Sequence, residues 1–275
     1  MSDDIFRLSA AEAMEQPEMG YDEFDLIVDS SLHPRSPDVL FDKLGTLISG
    51  MTEARVLDAG CRDATHMCEI AKRFGALVWG IDLVENNVKL AVGKIADAGL
   101  PERVSAARGD IQSLEFQDGA FDVVWCRDML PLVPELRRAF SECARVLKAG
   151  GHMLIFTNFA TDLMEPSEAE RVCGPLGICV DNLSRDYFEA AFSDSGFQVV
   201  EHERIDGEWR EWREEEGDRQ TSRQMLRIAR MLRSRNSLIA RVGRKDYEIE
   251  LADCLWGVYH MIGKMSGVIY VLRKV

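Results

Sequence analysis

The sequence predicts an α/β fold in which a parallel sheet carries helices on both faces. From residue 55 to residue 206, short apolar runs alternate with helical patterns, and repeated strand–helix units of this kind build parallel sheets. The apolar runs contain few polar residues, as expected for strands that are buried on both sides. Gly75 and Gly99 each follow a helical pattern, so the predicted units have clear boundaries.

The positions of the elements follow from these patterns. Strands are expected over residues 55–59, 77–81, 104–108, 121–126, 152–159, 197–204 and 267–273. Helices are expected over residues 21–30, 37–49, 65–74, 85–98, 134–147, 184–195, 219–240 and 244–264, and residues 148–151 indicate a turn. The chain is therefore expected to divide into an N-terminal helical cap (1–50), a sheet domain (51–206), a helical insertion (207–266) and a final strand (267–275).

Composition narrows the range of partners. The chain has 275 residues and a formal net charge of −14, and an acidic surface repels phosphate backbones, so nucleic acid is not an expected partner. The seven cysteines contain no C-x-x-C pair, and no metal is expected. The sequence shows neither a signal peptide at its start nor an apolar run of membrane-spanning length. We therefore expect a cytoplasmic protein with reduced thiols and no membrane partner.

Acidic residues follow three of the predicted strands at one edge of the sheet. Asp58 ends the first strand, and Gly60 lets the backbone turn close to a ligand. An acid at this position suits a ligand that carries an ammonium group. Asp82 ends the second strand, where a carboxylate can accept both hydroxyls of a ribose. After the third strand, Asp110 can accept from an exocyclic amine and the N–H of Ile111 can meet a ring nitrogen, so the pattern indicates a nucleotide site.

Two further motifs follow: Asp118-Gly119-Ala120-Phe121-Asp122-Val123-Val124-Trp125 and Arg145-Val146-Leu147-Lys148-Ala149-Gly150-Gly151. In this order, the motifs resemble those of the class I S-adenosylmethionine-dependent methyltransferases, especially the small-molecule group called type 11, over roughly residues 50–160. The resemblance implies a Rossmann-like, doubly wound sheet of seven strands whose last strand is antiparallel, with S-adenosyl-L-methionine as the cofactor. The residues expected at the cofactor are Asp58, Gly60, Arg62, Asp82, Leu83, Asn87, Asp110, Ile111, Cys126 and Arg127.

The resemblance also implies separate roles for these residues. Asp58 and Gly60 would lie by the methionine moiety, Asp82 would hold the ribose, and Asp110 with Ile111 would hold the adenine. The two residues after the fourth strand would line the methionine end and the acceptor, and they are Cys126 and Arg127.

Two loops depart from the family's pattern. Relatives usually have Gly-x-Gly-x-Gly after the first strand, whereas this chain has Gly60-Cys61-Arg62-Asp63-Ala64. We hypothesise that the guanidinium of Arg62 pairs with the methionine carboxylate of the cofactor. Relatives often have Leu-x-His after the fourth strand, whereas this chain has Leu130-Pro131-Leu132, so that histidine is not available as a base.

No ordered set of motifs marks the residues that would bind or activate the acceptor. Tyr21 either closes over the cofactor or packs on the domain. Glu165 follows the fifth strand on the site side of the sheet and is the candidate general base, although Pro166 also fits a solvated helix start. Three further candidates are expected in the core rather than in a pocket: Trp256, Tyr259 and His260.

A run of bases occupies the predicted insertion, and no acid interrupts it between Gln224 and Lys245. Its members are Arg223, Arg227, Arg230, Arg233, Arg235, Arg241, Arg244 and Lys245. We interpret this run as a solvated face that pairs with the acidic stretch 206–218 or with another subunit. A patch for an anionic acceptor is the alternative.

These features together predict an enzyme that transfers a methyl group to a small-molecule acceptor, in specialised (natural product) metabolism, by in-line displacement. The insertion is expected to form a lid over the acceptor or the interface of a homo-oligomer. Two other readings stay open. One is a non-catalytic binding protein on the same fold, which the incomplete glycine loop favours, and the other is a nucleotide-dependent oxidoreductase.

Overall fold

The computed structural model describes residues 7–14, 25, 26 and 28–275 of the chain. It divides into two compact units, residues 1–34 and residues 35–275. In the first unit, helix α1 (Ala10–Met14) begins with a reciprocal cap: the N–H of Ser9 donates to Glu12 Oε2 at 2.8 Å, and the N–H of Glu12 donates to Ser9 Oγ at 3.3 Å. Of the helix predicted over 21–30, residues 25, 26 and 28 are helical, and residues 29 and 30 form a turn and a bend.

Seven strands of the second unit form one sheet in the order β3-β2-β1-β4-β5-β7-β6. The strands are β1 (Arg55–Ala59), β2 (Leu77–Asp82), β3 (Val104–Arg108), β4 (Phe121–Arg127), β5 (Leu147–Ala160), β6 (Phe197–Asp206) and β7 (Met265–Lys274). The first five strands pair in parallel, whereas β7 lies antiparallel between β5 and β6. This arrangement confirms the predicted α/β fold and its antiparallel last strand.

Helices cover both faces of this sheet. The α-helices of the second unit are α2 (Val39–Leu47), α3 (Thr65–Phe74), α4 (Glu85–Asp97), α5 (Leu136–Val146), α6 (Pro166–Leu176), α7 (Arg185–Ser193), α8 (Glu208–Glu215), α9 (Gln220–Arg233), α10 (Arg235–Val242) and α11 (Arg244–Met261), and not all of them contact the sheet. Residues of α5 and α7 share one buried cluster with the sheet, and residues of α2, α3 and α4 share the other. The last four helices connect β6 to β7.

Strand β4 contributes neighbouring side chains to the two opposite cores, because successive residues of a strand point to opposite faces. Cys126 lies in one cluster with Leu57 and Phe140. Trp125 lies in the other, where its ring stacks on that of Phe41 with centroids 5.3 Å apart. Full burial of a large apolar side chain contributes roughly 1.5–3 kcal/mol. Packing on both faces therefore holds the end of β4, where the polar residues of the site begin.

Strand β5 starts earlier than the sequence predicts. Leu147 already pairs with Phe121, the register then shifts, and pairing resumes between His152 and Val123. The predicted turn at residues 148–151 is thus an irregularity inside the strand. Gly150 makes it feasible, because its φ of 70° lies in the left-handed region that glycine adopts without strain.

The segment after β6 also differs from its prediction. Helix α8 was not expected, because its sequence is almost entirely charged and it buries only Trp209. The single helix predicted over 219–240 is two helices, α9 and α10, which are separated at Ser234 (φ −113°, ψ 22°). Tertiary contacts therefore determine this region more than an apolar stripe does.

The seven cysteines are free thiols, and all but Cys179 are buried. Among the residues described, no group of three or more His, Cys, Asp or Glu side chains is placed to hold a metal ion. Every helix in the described ranges is too short or too polar to cross a bilayer.

Candidate functional site

The loop after β1 takes the left-handed conformation at alternating residues. Gly60, Arg62 and Ala64 have φ values of 86°, 49° and 61°. The family that the sequence resembles usually has glycine at these three positions. The backbone therefore keeps the shape of a glycine loop although Arg62 and Ala64 replace two of the glycines. A non-glycine residue in this region costs roughly 1–2 kcal/mol. The departure from the family's pattern is therefore one of side chains and not of backbone path.

Replacing Arg62 by glycine is expected to raise the free energy of unfolding by about 1 kcal/mol, since it removes this strain. Arg62 is exposed, so little packing is lost. Chemical denaturation of the Arg62→Gly and Arg62→Ala variants measures the effect, because alanine keeps the strain and glycine does not. Equal stability of the two variants would contradict the strained-loop account. If the guanidinium also pairs with the cofactor, both variants should bind S-adenosylhomocysteine more weakly.

Asp58, at the end of β1, is a buried carboxyl group with an unsatisfied oxygen. Its residue is 2% exposed, and Oδ2 has no hydrogen-bond partner among the described residues. Burial raises the pKa of Asp58 to about 7; the positive charge of Arg127 opposes this rise and the charge of Asp82 adds to it. A buried carboxylate is stabilised by a cationic hydrogen-bond donor, so this position fits the ammonium group of a ligand.

Asp82, at the end of β2, connects two loops. Its Oδ2 accepts from the N–H of Arg62 at 3.0 Å, and its Oδ1 accepts from the N–H of Val84 at 2.9 Å and from Asn87 Nδ2 at 3.1 Å. The Asn87 side chain thus helps to hold the Asp82 carboxylate in place. Leu83, between the two loops, is 61% exposed and presents its side chain to solvent.

Asp110 follows β3, the strand next to β2. Its Oδ1 accepts from the N–H of Gln112 at 2.9 Å and from Gln112 Nε2 at 3.1 Å. Ile111 is buried in the core, so its backbone rather than its side chain is the part available to a ligand. Because β3, β2 and β1 are adjacent and parallel, Asp110, Asp82 and Asp58 all lie at the same edge of the sheet.

The end of β4 lies beside β1 and contributes Arg127. Its guanidinium contacts His66 Nε2 and lies over the ring of Trp209, 5.7 Å from the centroid. Burial and the neighbouring Arg127 charge lower the pKa of His66 to about 4, so His66 is a neutral acceptor. Cys126 is 1% exposed and packs in the core, where burial raises the pKa of its thiol well above the usual value.

A cavity of about 110 Å³ opens beyond Arg127. Its walls come from the ends of β4, β5 and β6 and from α8, α9 and α11, and they include Arg127, Asp128, Phe156, Asn158, Trp209, Arg210, Arg213, Trp256 and His260. Trp256 and His260, which we expected in the core, are therefore pocket residues as well. Tyr259, by contrast, is buried in a separate cluster with α6. The helices between the last two strands thus form one wall of the cavity.

Asp128 is an acidic residue of the cavity lining, and it directly follows Arg127 at the end of β4. It has a φ of 54°, and its carboxylate accepts from Asn158 Nδ2. Asp128 is accessible from the cavity, yet protein surrounds its carboxyl group, and the resulting desolvation raises the pKa to about 6 against the effect of Arg127. Asp128 was not among the site residues predicted from the sequence. Its position directly after Arg127, at the end of a strand, was the available signal.

Glu165, the predicted general base, caps a helix in the structure. It is the N-cap of α6, and its N–H donates to the Glu168 carboxylate at 3.1 Å in a capping box. Glu165 is exposed and does not line the cavity, so the helix start explains its position. Tyr21, the other predicted acceptor residue, lies outside the described residues.

Several arginines of the basic run form ion pairs with glutamates of α11. Arg227 forms an ion pair with Glu250, and both Arg235 and Arg244 pair with Glu248. Only Arg223 has its partner, Asp218, in the acidic stretch that was expected to receive the run. Exposed ion pairs of this kind contribute little stability, about 0–1 kcal/mol each.

The sequence comparisons identify the central part of the chain. Residues 57–155 match the family model described as a methyltransferase domain. The chain is 30% identical over 154 residues to the sterol 24-C-methyltransferase ERG6B of Gibberella zeae, a match that covers 54% of this chain and 40% of the relative. It is 27% identical over 161 residues to the 27-O-demethylrifamycin SV methyltransferase of Amycolatopsis mediterranei, and this match covers 58% of this chain and 59% of the relative. The chain spans about half the length of the curated relatives it matches.

The fold has close counterparts among solved structures. The [4+2]-cyclase SpnF superposes with a TM-score of 0.68 and 22% identity, and the match covers 86% of this chain and 81% of that one. At this identity the likeness shows a shared fold. Chemistry therefore has to be argued from the residues of the site.

Proposed function

We propose that this chain, which belongs to the class I S-adenosylmethionine-dependent methyltransferases, transfers a methyl group to a small molecule held in the cavity beyond β4. The observation that carries the proposal is Asp58, a buried carboxyl group beside the close turn at Gly60, because its Oδ2 lacks a hydrogen-bond partner in the part of the chain that the structure describes. The methionine part of S-adenosylmethionine has an ammonium group that suits such an oxygen. The residues present therefore fit this cofactor.

The roles of the cofactor residues follow from their places at the sheet edge. Asp58 binds the ammonium group, and Asp82, which backbone and amide donors orient, accepts from the ribose hydroxyls. Asp110 and the N–H of Ile111 bind the adenine. When bound, the cofactor supplies an activated methyl group on a sulfonium. The protein then has to align the acceptor with that methyl and to exclude water.

The acceptor is proposed to occupy the cavity between β4 and the helices that follow β6. Packing of α8, α9 and α11 around this space supports a role of the insertion in choosing the substrate. The relatives named above act on a sterol and on a rifamycin, and both are small molecules. The rifamycin methyltransferase supports extending the proposal to specialised metabolism.

Asp128 is proposed as the base for an acceptor that must lose a proton, because it lines the cavity and has a raised pKa of about 6. The ionised form accepts the proton, so methyl transfer should fall about tenfold per pH unit below pH 6. Asp128→Asn should reduce turnover by about 10²–10⁴ while S-adenosylhomocysteine binding persists. The measurement is turnover against pH on an identified acceptor. Full activity of the variant would assign the proton transfer elsewhere.

The proposed function is tested by calorimetry of the full chain with S-adenosylhomocysteine and, separately, with NAD. Binding of the former alone is expected. Binding of NAD alone would favour the oxidoreductase reading, and binding of neither would favour a non-catalytic protein on the same fold. A crystal structure with S-adenosylhomocysteine then shows whether Asp58, Asp82 and Asp110 contact the ligand.

A further inference from the structure

Three arginine side chains converge on the cavity. Arg127 enters from the end of β4, whereas Arg210 and Arg213 come from α8. Residues three apart lie on the same side of a helix, so α8 presents both guanidinium groups together. We call Arg127, Arg210 and Arg213 the arginine cluster.

The hydrogen-bond partners of the cluster are mostly neutral. Arg210 Nη1 donates to Gln220 Oε1 at 3.1 Å and to Gln224 Oε1 at 3.5 Å. Arg127 contacts the ring of His66, which is neutral because its pKa is lowered to about 4. Arg213 lies 3.6 Å from Asp218 Oδ1, beyond the length of a good charge-assisted hydrogen bond.

The two carboxylates of the cavity form hydrogen bonds with groups outside the cluster, although the charge of Asp128 also attracts Arg127 and Arg210. Asp128 is held by Asn158. Asp206 accepts from Ser266 Oγ and forms an ion pair with Arg204. The cavity lining thus carries three guanidinium groups against two carboxylates, which leaves one positive charge in excess, although the chain as a whole carries a net charge of −14.

The positive charge of the cluster is only partly compensated by the neighbouring carboxylates. Burial lowers the pKa values of Arg127 and Arg210, and repulsion by Arg213 lowers both further, whereas the negative charge of Asp128 raises both. Arginine nonetheless stays protonated in proteins. Half-buried cations that repel one another are stabilised by an anionic group, and the planar guanidinium suits bidentate binding of carboxylate or phosphate.

The rest of the cavity suits an apolar body. Phe156 and Trp209 stack with ring centroids 4.2 Å apart. Trp256 and His260 form an edge-on pair at 5.5 Å, and burial with the nearby Arg210 charge lowers the pKa of His260 to about 3, so this ring is neutral. Aromatic walls and a cationic end together define an amphipathic ligand.

We propose that the arginine cluster binds an anionic group, a carboxylate or a phosphate, on an aromatic or apolar acceptor. This inference rests on the proposed function only in naming the ligand as the acceptor. Anion binding at Arg127, Arg210 and Arg213 can be measured whether or not methyl transfer occurs.

The test is isothermal titration of the full chain with three probes of similar size: benzoate, phenyl phosphate and neutral benzamide. We expect at least tenfold tighter binding of one or both anions than of benzamide, and the better anion identifies the group. Arg210→Gln and Arg213→Gln should each weaken that binding at least tenfold. Two variants are used so that a folding defect in one, detected by its melting temperature, leaves the other informative.

Arg230→Gln is the matched control. Arg230 is an exposed arginine of α9 within the basic run and does not line the cavity, so its replacement should leave the affinity unchanged. Benzamide bound as tightly as the anions, or anion affinity unchanged in folded Arg210→Gln and Arg213→Gln, would overturn the proposal. Affinity lost in Arg230→Gln but kept in both cavity variants would place the anion on the basic run instead.

Titration with S-adenosylhomocysteine in the same samples separates this inference from the proposed function. Anion binding without S-adenosylhomocysteine binding would keep the arginine site and reject the methyltransferase. Binding of S-adenosylhomocysteine without anion binding would support the methyltransferase proposal and reject the anionic acceptor.

Discussion

Replacing Asp58 by asparagine is expected to stabilise the ligand-free protein and to abolish tight binding of S-adenosylhomocysteine. The pKa of Asp58 is raised by burial from 3.8 to about 7, so ionisation of this group opposes folding. The penalty is absent below pH 4, grows as the pH rises from 4 to 7 and is complete above pH 7. At 1.36 kcal/mol per pKa unit, the variant gains at most about 4 kcal/mol at neutral pH.

Chemical denaturation between pH 4 and pH 8 measures this gain. Asp162→Asn is a suitable control, because Asp162 is exposed in the loop after β5 and its replacement should change stability by less than about 0.5 kcal/mol. An Asp58→Asn variant that is no more stable than the native protein at pH 8 would show that the carboxyl group has a compensating partner.

The same group should make binding depend on pH. An ammonium ligand favours the ionised form of Asp58, so affinity for S-adenosylhomocysteine should be highest above pH 7 and fall by up to tenfold per pH unit below it. The slope should disappear in the asparagine variant, whose residual affinity is low at every pH. Titrations at pH 5.5, 6.5 and 8 are sufficient, and a pH-independent affinity of the native protein would argue against Asp58 as the ammonium ligand.

The second large effect is expected at Gly60. Its φ is 86°, and a β-carbon there would lie 2.7 Å from Met129 Cγ and 2.9 Å from Met129 Cβ. Gly60→Ala therefore combines left-handed strain with a steric overlap. Strain of roughly 1–2 kcal/mol and overpacking of roughly 1–3 kcal/mol predict a loss of about 2–5 kcal/mol in the free energy of unfolding. Since the loop also forms the proposed methionine site, affinity for S-adenosylhomocysteine should fall at least tenfold.

Gly93→Ala provides the opposite control. Gly93 lies inside α4, and apart from the backbone of that helix no atom would lie within 4 Å of a β-carbon there, so alanine should stabilise the helix by up to about 1 kcal/mol. Thermal or chemical unfolding of both variants, with S-adenosylhomocysteine titrations, gives the comparison. If Gly60→Ala bound and unfolded as Gly93→Ala does, the close turn would not be needed for the site.

Local patterns predicted the inner strands of the sheet because each contains a nearly continuous apolar run. The edge strands β3 and β6 bury few residues, so their apolar signal is weaker. The bounds of β1 and β3 agree with the prediction, and β2 differs by one residue. Asp58, Asp82 and Asp110 could be placed at one edge for the same reason, since the ends of adjacent parallel strands meet there. Their roles as cofactor ligands remain predictions.

Patterns of this kind carry no information where side chains meet across the fold. Helix α8 lacked an apolar stripe, so neither the helix nor the joint approach of Arg210 and Arg213 to Arg127 could be expected. Glu165 was a reasonable acidic candidate until its capping box with Glu168 was seen, and Asp128 became a candidate only when its cavity was seen.

The amino-acid order alone was sufficient for the sheet, the family resemblance and the cofactor edge, because the spacing of apolar runs and their terminal acids is a local property of the chain. The acceptor cavity depended on the folded molecule. It is built from β4, β5 and the helices between β6 and β7, which are distant in sequence. Only their packing brings the three arginines together and creates the desolvation that raises the pKa of Asp128.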